Sequence, residues 1–200
     1  MSSDTDTRVR RRSGAQTRRL AQRVALELFT RYGYERTSLR QIAEALGINK
    51  ASLYYHFASK EAILQSLMDE RGSEAEQLIE WLHQQPRTAD LLEQAVLRWV
   101  LSFSADKLRA IRFMAANPLV IRDLAKGGGD RVGSLLSALI DDLSELLPER
   151  TDENVLLLRM SVLSINSAAQ AVAPGVDNAV IVNAAQRAAR ALLREISRAS

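Results

Sequence analysis

The chain of 200 residues contains no cysteine. Disulfides, thiolate zinc sites and cysteine nucleophiles are therefore excluded, and this composition suits a reducing compartment such as the cytoplasm. Aromatic residues are few, at 5% of the chain. No apolar run reaches the roughly 18 residues that a membrane span needs, and the N-terminus lacks the apolar core of a secretory signal. These absences predict a soluble, cytoplasmic protein.

Helix-breaking residues are scarce too, with 4 prolines and 9 glycines. The segments between them are rich in Ala, Leu, Arg and Glu, which favour helices over strands. An apolar content of 46% is enough to bury a core in one or two domains. The sequence therefore predicts an all-α fold of about nine helices.

The stretch from Thr37 to Lys60 predicts two short helices joined by a three-residue turn. Ser38 and Gln41 have the spacing of a capping box, and apolar residues then recur at helical intervals. Gly47 ends the first helix, and Asn49 can cap the second. This pattern is typical of a helix-turn-helix, although a helical hairpin without a DNA partner has similar features.

The second of these helices has two inward anchors, Leu53 and Phe57, which lie four residues apart. Its other side chains offer one charge, one hydroxyl, two phenols and an imidazole, groups that bind phosphates and base edges. The outward set is Lys50, Ala51, Ser52, Tyr54, Tyr55 and His56. Two adjacent exposed tyrosines without a partner would be unusual, so DNA binding is the favoured interpretation.

A wider pattern surrounds this stretch. A preceding helix ends in Phe29, Tyr32 and Gly33, the recognition helix carries Lys50 and Leu53-Tyr54-Tyr55-His56-Phe57, and Ser59-Lys60-Glu61 opens a fourth helix. From about residue 17 to residue 64, the chain thus resembles the DNA-binding domain of TetR/AcrR-type transcriptional repressors. Ala51 stands where that family usually has glycine, a change that still permits close approach to a DNA backbone.

The resemblance implies an N-terminal three-helix helix-turn-helix domain over residues 15–60 and a helical effector-binding and dimerisation domain over residues 61–200. Lys50, Lys60 and Thr37 are expected to contact phosphate, and Arg40 with Ser52 to reach base edges. The complete predicted DNA-binding set is Thr37, Ser38, Arg40, Lys50, Ala51, Ser52, Tyr54, Tyr55, His56 and Lys60.

Charge is distributed unevenly. Residues 1–60 hold 12 Lys and Arg against 5 Asp and Glu, whereas residues 61–200 hold 15 against 19. This gradient directs the N-terminal part toward a polyanion. A membrane-binding helix is a weaker alternative, because the apolar face around Leu20, Val24 and Leu28 has the width of a core-facing helix.

Residues 1–14 have almost no apolar content and are expected to form a disordered arm. Its arginines, at positions 8, 10, 11 and 12, could enter an A·T-rich minor groove or follow the DNA backbone. A solvated tail that only aids solubility is an equal alternative.

The last two predicted helices are rich in small residues, among them Ala169, Ala185 and Ala189. Small side chains let helices approach closely. An internal hairpin in a monomer would explain them, but the resemblance implies a homodimer formed through these helices. A twofold dimer would require a palindromic operator of double-stranded DNA.

The resemblance also implies a pocket for a small-molecule effector among the helices between residues 80 and 170. The large or amide-bearing candidates are Trp99, Phe103, Phe113, Met114, Asn117, Met160, Asn166 and Gln170. Core packing explains each one singly. Because no charged cluster is evident among them, a mostly apolar or neutral ligand is expected.

Nothing in the sequence indicates catalysis, a metal site or a cofactor. Gly127-Gly128-Gly129 lacks the following Lys-Ser/Thr of a phosphate loop and predicts a flexible loop. The expected function is therefore a repressor, rather than an enzyme, that a small molecule releases from its operator. Two alternatives are an effector-independent architectural DNA-binding protein and a ligand-binding protein or enzyme with a vestigial helix-turn-helix.

Overall fold

The computed structural model describes residues 13–128, 131–173 and 175–198. Within those ranges the chain forms ten α-helices and no strand, which confirms the all-α prediction. The helices are α1 (Gly14–Tyr32), α2 (Leu39–Leu46), α3 (Lys50–His56), α4 (Lys60–His83), α5 (Leu91–Leu101), α6 (Ala105–Ala116), α7 (Pro118–Gly128), α8 (Arg131–Ser144), α9 (Asp152–Ala171) and α10 (Asn178–Arg198).

The chain divides into two compact units, one ending at Leu64 and the other beginning at Gln65. This boundary lies within α4, whose first five residues belong to the first unit.

The first unit is built around the apolar faces of α1, α2 and α3. Ala25, Ile42 and Leu53 are fully buried, one from each helix. Phe29 and Tyr34 also pack in this core. Their rings contact each other edge to face, with 5.0 Å between the centroids. Three short helices can thus form a stable unit because each contributes an apolar stripe to one centre.

Helix α1 begins at Gly14, directly after its N-cap residue Ser13. The hydroxyl of Ser13 accepts a hydrogen bond from Gln16 N, and the Gln16 side chain accepts one from Ser13 N. This capping box satisfies two backbone donors and fixes the start of the helix. Ser13 and Gly14 therefore do not belong to the disordered arm predicted over residues 1–14, and residues 1–12 lie outside the described residues.

The second unit is centred on α9. This helix packs against α10, α5, α6 and α8, and its Leu158, Val162 and Ile165 are fully buried. Helix α10 contributes Ile181, Ala185, Ala189, Leu193 and Ile196 to the same core. Ala169, Ala185 and Ala189 are buried where α9 and α10 pack together, so these small residues serve the internal hairpin that was the alternative to a dimer surface.

The triple glycine was predicted to form a flexible loop, but its first two residues lie in a helix. Helix α7 runs through Gly127 to Gly128, and of the three glycines only Gly129 falls outside the described residues. A helix can include glycine at about 1 kcal/mol each relative to alanine when neighbouring residues maintain its hydrogen bonds. None of the helices in the described ranges is long and apolar enough to span a membrane.

Candidate functional site

The turn between α2 and α3 is fixed by the residues that the sequence analysis identified. Ser38 and Gln41 form a capping box at the start of α2, and Gly47 ends the helix in the left-handed region, at φ 68°. Asn49 then caps α3, because its side-chain oxygen accepts a hydrogen bond of 2.6 Å from Ser52 N. Each end is thus set locally by a side chain or a glycine.

Helix α3 is held by two apolar anchors. Leu53 is fully buried and Phe57, just past the helix, is 2% exposed. Arg18 of α1 lies over the Phe57 ring, 4.4 Å from its centroid, and donates a hydrogen bond to His56 O. The C-terminal end of α3 is therefore attached to α1 by a cation–π contact and a hydrogen bond.

The remaining side chains of α3 form the proposed DNA-reading face. Lys50, Ala51, Tyr54 and Tyr55 are exposed, with Tyr55 at 87%, whereas Ser52 and His56 are half-buried. The Lys50 ammonium lies 5.2 Å from the centroid of the Tyr54 ring, and the Tyr55 and His56 rings meet at 5.3 Å. The face combines one cation with a cluster of rings, as the sequence predicts.

Two residues that were predicted to contact phosphate, Thr37 and Lys60, form hydrogen bonds within the first unit instead. Thr37 is 3% exposed, its hydroxyl donates to Gly33 O and its N–H donates to Tyr34 O. Because both donors are used inside the unit, Thr37 shapes the turn before α2 and does not present a phosphate-binding group.

Lys60 is also engaged. Its ammonium donates to Tyr34 O at 2.9 Å, pairs with Glu35 at 3.4 Å and lies 4.1 Å from the Tyr34 ring centroid. Only 19% of its side chain is exposed. In this conformation Lys60 ties the start of α4 to the segment that follows α1, and its charge is less available to DNA than that of Lys50.

The other two predicted contacts lie at the start of α2 and on it. Ser38 is exposed, and its hydroxyl belongs to the capping box. Arg40 is exposed and forms a 2.8 Å ion pair with Glu44, one turn further along the helix. Such exposed pairs contribute little stability, so the Arg40 guanidinium can exchange Glu44 for another acceptor.

A tyrosine–glutamate pair also belongs to the first unit and has no counterpart among the predicted residues. The Tyr34 hydroxyl donates a hydrogen bond of 2.8 Å to the Glu61 carboxylate. Burial is the main reason why the pKa of Tyr34 is raised above its ordinary value, and the neighbouring Glu61 adds to the shift. The positions are 27 residues apart, so no local pattern reveals the pair.

The predicted effector residues do not converge. Trp99 and Phe103 meet edge to face at 5.8 Å, and Phe113 is buried. Asn117 donates its side-chain amide to Phe113 O. Met114 and Asn166 are half-buried, whereas Gln170 is exposed and Met160 is 49% exposed, so neither of these last two belongs to a core pocket.

A cleft of about 260 Å³ lies on the second unit. We call it the α4–α6 cleft, since its lining comes from α4, α5, the residue after α5, and α6. The lining residues are Glu74, Gln77, Leu78, Arg98, Trp99, Ser102 and Lys107. Of the eight predicted effector residues, Trp99 is the one in this lining.

Behind the cleft, Arg71 lies between two aromatic rings. Its guanidinium carbon is 3.6 Å from the Trp99 ring centroid and 3.7 Å from that of Phe103. The same guanidinium donates a 2.7 Å hydrogen bond to Glu74, which also pairs with Lys107. Burial lowers the pKa of Arg71 to about 10, and Glu74 opposes that shift. The sequence analysis did not single out Arg71, because its aromatic partners lie on α5 and just after it.

In the described part of the chain, no group of three or more His, Asp or Glu side chains could hold a metal ion.

The N-terminal sequence matches known regulators. Residues 22–67 fit the model of the family described as bacterial regulatory proteins, tetR family. The chain is 48% identical over 52 residues to the A-factor receptor protein of Streptomyces griseus, covering 26% of this chain and 19% of that protein. It is 54% identical over 39 residues to the biofilm operon negative transcriptional regulator IcaR of Staphylococcus aureus (strain Newman), covering 20% and 21%. The chain thus spans about a fifth of the length of these curated relatives.

Solved structures with a similar fold cover most of the chain, not only this N-terminal segment. A TetR-family regulator from Bordetella parapertussis 12822 aligns with a TM-score of 0.61 at 20% identity, covering 88% of this chain and 93% of that one. The TetR-family regulator PfmR from Thermus thermophilus aligns with a TM-score of 0.58 at 25% identity, covering 90% and 97%. The helix-turn-helix segment is thus similar in sequence to bacterial regulatory proteins of the tetR family, and the described helices share their all-α fold with solved tetR-family structures.

Proposed function

We propose that this protein is a transcriptional repressor that binds a palindromic operator as a homodimer and leaves it when a small molecule binds. The observation that carries the proposal is the outward face of α3. It presents Lys50, Tyr54 and Tyr55 on a helix whose start is capped and whose other face is buried. A short capped helix with such a face fits the major groove of DNA.

Roles follow from the exposure of each side chain. Lys50 contacts a phosphate, and Tyr54, Tyr55 and His56 bind the backbone or thymine methyl groups. Ser52 and Arg40 reach base edges, with Arg40 leaving Glu44 to do so. Ser38 and Ala51 lie against the DNA backbone. Lys60 acts mainly by holding the start of α4 in place.

The arginine arm is a further proposed contact. An ideal Cβ built on Gly14 lies 3.6 Å from His56 Cε1, so α1 starts beside the end of α3. Residues that precede α1 would therefore enter the DNA complex next to the reading face. Deleting the first twelve residues should lower operator affinity and its salt dependence, and unchanged values would leave the arm without a role.

Dimerisation is proposed through α9 and α10. Leu156 and Met160, four residues apart on α9, are 58% and 49% exposed, and Val180 on α10 is 57% exposed. Pairing these helices across a twofold axis would cover them. To bind a palindrome, the dimer needs two α3 helices spaced about one DNA turn apart, roughly 34–36 Å, or a small multiple of this.

Release requires that the effector prefer a dimer whose α3 helices have the wrong separation. A preference of ~1.4 kcal/mol lowers operator affinity about tenfold by linkage.

Selection of bound fragments from the source genome tests the proposal directly. We expect a palindrome to be enriched among the bound fragments. Fluorescence anisotropy should then show that the protein binds this palindrome as a dimer. Lys50→Ala should weaken binding to every fragment and reduce the salt slope by about one unit. Lys60→Ala should change the slope less. Binding without any enriched palindrome would indicate an architectural protein, and absence of DNA binding would indicate a vestigial helix-turn-helix.

A further inference from the structure

The α4–α6 cleft carries more positive than negative charge. Arg98 and Lys107 line it together with one carboxylate, Glu74. That carboxylate is shared, because Arg71 and Lys107 both bind it. Arg98 forms no ion pair with any carboxylate of the described residues and lies 4.8 Å from the Trp81 ring centroid. Three cations thus face one anion, so positive charge is in excess.

The arrangement of these charges favours an anion over a cation. Glu74 already receives two cations, so a cationic ligand would have to displace Lys107 to reach it. An anionic ligand meets no such competitor at Arg98, and at Lys107 it replaces a partly exposed ion pair of modest strength. A cleft lined mainly by one sign of charge also concentrates counter-ions of the other sign.

Two apolar side chains, Leu78 and Trp99, belong to the lining of the cleft. Leu78 is 5% exposed and Trp99 is 4% exposed, and the Trp99 ring contacts both Arg71 and Phe103. The ring need not be ordered when a ligand arrives, which lowers the entropic cost of binding. Small-molecule sites usually combine apolar side chains with polar groups that fix the orientation of the ligand, and this cleft offers both.

We infer that the α4–α6 cleft binds a small organic anion, a carboxylate or a phosphate ester with an aromatic or aliphatic body. The acid group binds Arg98 and Lys107, and the body lies on Leu78 and Trp99. The inference rests on the proposed repressor function, in which this anion is the effector. It revises the expected neutral ligand, because the charged residues come from three helices and form a cluster only in the fold.

Fluorescence of Trp99 can report binding directly. The chain has two tryptophans, so Trp81→Phe leaves Trp99 as the sole one and keeps a ring beneath Arg98. Matched probes differ only in charge: 3-phenylpropionate against 3-phenylpropanamide, and benzyl phosphate against benzyl alcohol. At constant ionic strength, at least one acid should quench Trp99 with about tenfold higher affinity than its neutral partner. Comparison of the two acids tells carboxylate from phosphate.

Three variants locate the acid group. Lys107→Gln and Arg98→Gln should each remove most of the preference for the acid. Arg109→Gln is the matched control, since it removes one positive charge from α6 outside the cleft. Glu74→Gln should raise acid affinity by freeing Lys107; if this variant fails to fold, the Lys107 and Arg98 comparison still decides. Equal affinity for acid and neutral probes, absence of quenching by both acids, or an equal loss in Arg109→Gln would overturn the assignment.

DNA binding measured without probes separates this inference from the proposed function. If the protein binds its operator but shows no preference for acids, the proposed repressor function stands and the assignment of an anion site to the cleft is wrong. A chain that prefers acids but binds no operator keeps the cleft and is not a repressor.

Discussion

Arg18 and Phe57 connect the first helix of the chain to the end of the proposed recognition helix. The Arg18 guanidinium carbon lies 4.4 Å from the Phe57 ring centroid, and the side chain also donates a hydrogen bond of 3.1 Å to His56 O. The Arg18 side chain thus provides a donor for a backbone carbonyl in the last turn of α3 and covers the ring of its apolar anchor, Phe57.

Replacing Arg18 with methionine should destabilise the first unit by about 1–2 kcal/mol, because both contacts are lost. Arg19→Met is the control, since Arg19 is exposed on the same helix and the change removes the same charge. Urea unfolding monitored by circular dichroism measures the difference. Equal midpoints for the two variants would show that the Arg18 contacts contribute nothing to stability.

Gly47 is required by the left-handed backbone at the end of α2, where φ is 68°. Gly47→Ala should destabilise the unit by about 1–2 kcal/mol, because a Cβ is unfavourable in that region. Gly14→Ala provides the comparison, as its added Cβ meets His56 Cε1 at 3.6 Å, an ordinary contact. If thermal unfolding gives the same midpoint for both variants, the conformation of Gly47 does not limit stability.

Glu61 should make stability depend on pH in acid. Burial opposes its ionisation, but hydrogen bonds from its own backbone N–H, Ser59 and Tyr34, together with the Lys60 charge, lower the pKa of Glu61 below its ordinary value. A carboxyl whose folded pKa is lowered contributes stability that is present above its unfolded pKa, about 4.3, and lost as the pH falls through the folded pKa.

Tyr34→Phe should therefore reduce the loss of stability between neutral pH and about pH 3, because it removes one of the hydrogen bonds that favour the ionised form. Denaturant unfolding at a series of pH values measures this slope. An identical pH dependence in the variant and the parent chain would contradict the proposed coupling of Tyr34 to Glu61.

The exposed apolar pair on α9 should control the oligomeric state. A double change of Leu156→Glu and Met160→Glu should yield a folded monomer, since two carboxylates cannot be buried unpaired at an interface. Leu119→Glu is the control, because Leu119 is 63% exposed on another helix, α7. Sedimentation equilibrium distinguishes the two outcomes, and a variant that stays dimeric with native helicity would place the interface elsewhere.

The helices and the exposed face of α3 were predictable because their signals are local. Ser38 with Gln41 lies within one helical turn, and Gly47 marks the end of α2 regardless of what packs around it. Leu53 and Phe57 are likewise four residues apart, so their shared burial follows from helical periodicity.

The partners of Thr37, Lys60 and Arg71 were not predictable in the same way. Lys60 binds Tyr34 O across 26 residues, and the Arg71 guanidinium lies between two rings from α5 and the segment after it. A charged residue in a sequence suggests a free surface group, but its availability depends on acceptors that only folding brings near. The charged cluster of the cleft was missed for the same reason.

Two apolar side chains, Leu53 and Phe57, fasten the seven-residue helix α3 to its unit. The four exposed positions, Lys50, Ala51, Tyr54 and Tyr55, can therefore change without disturbing the core. In the proposed repressor, substitutions at these positions exchange one preferred operator for another and leave the unfolding midpoint nearly constant. A repressor built in this way acquires new target genes without passing through an unstable intermediate.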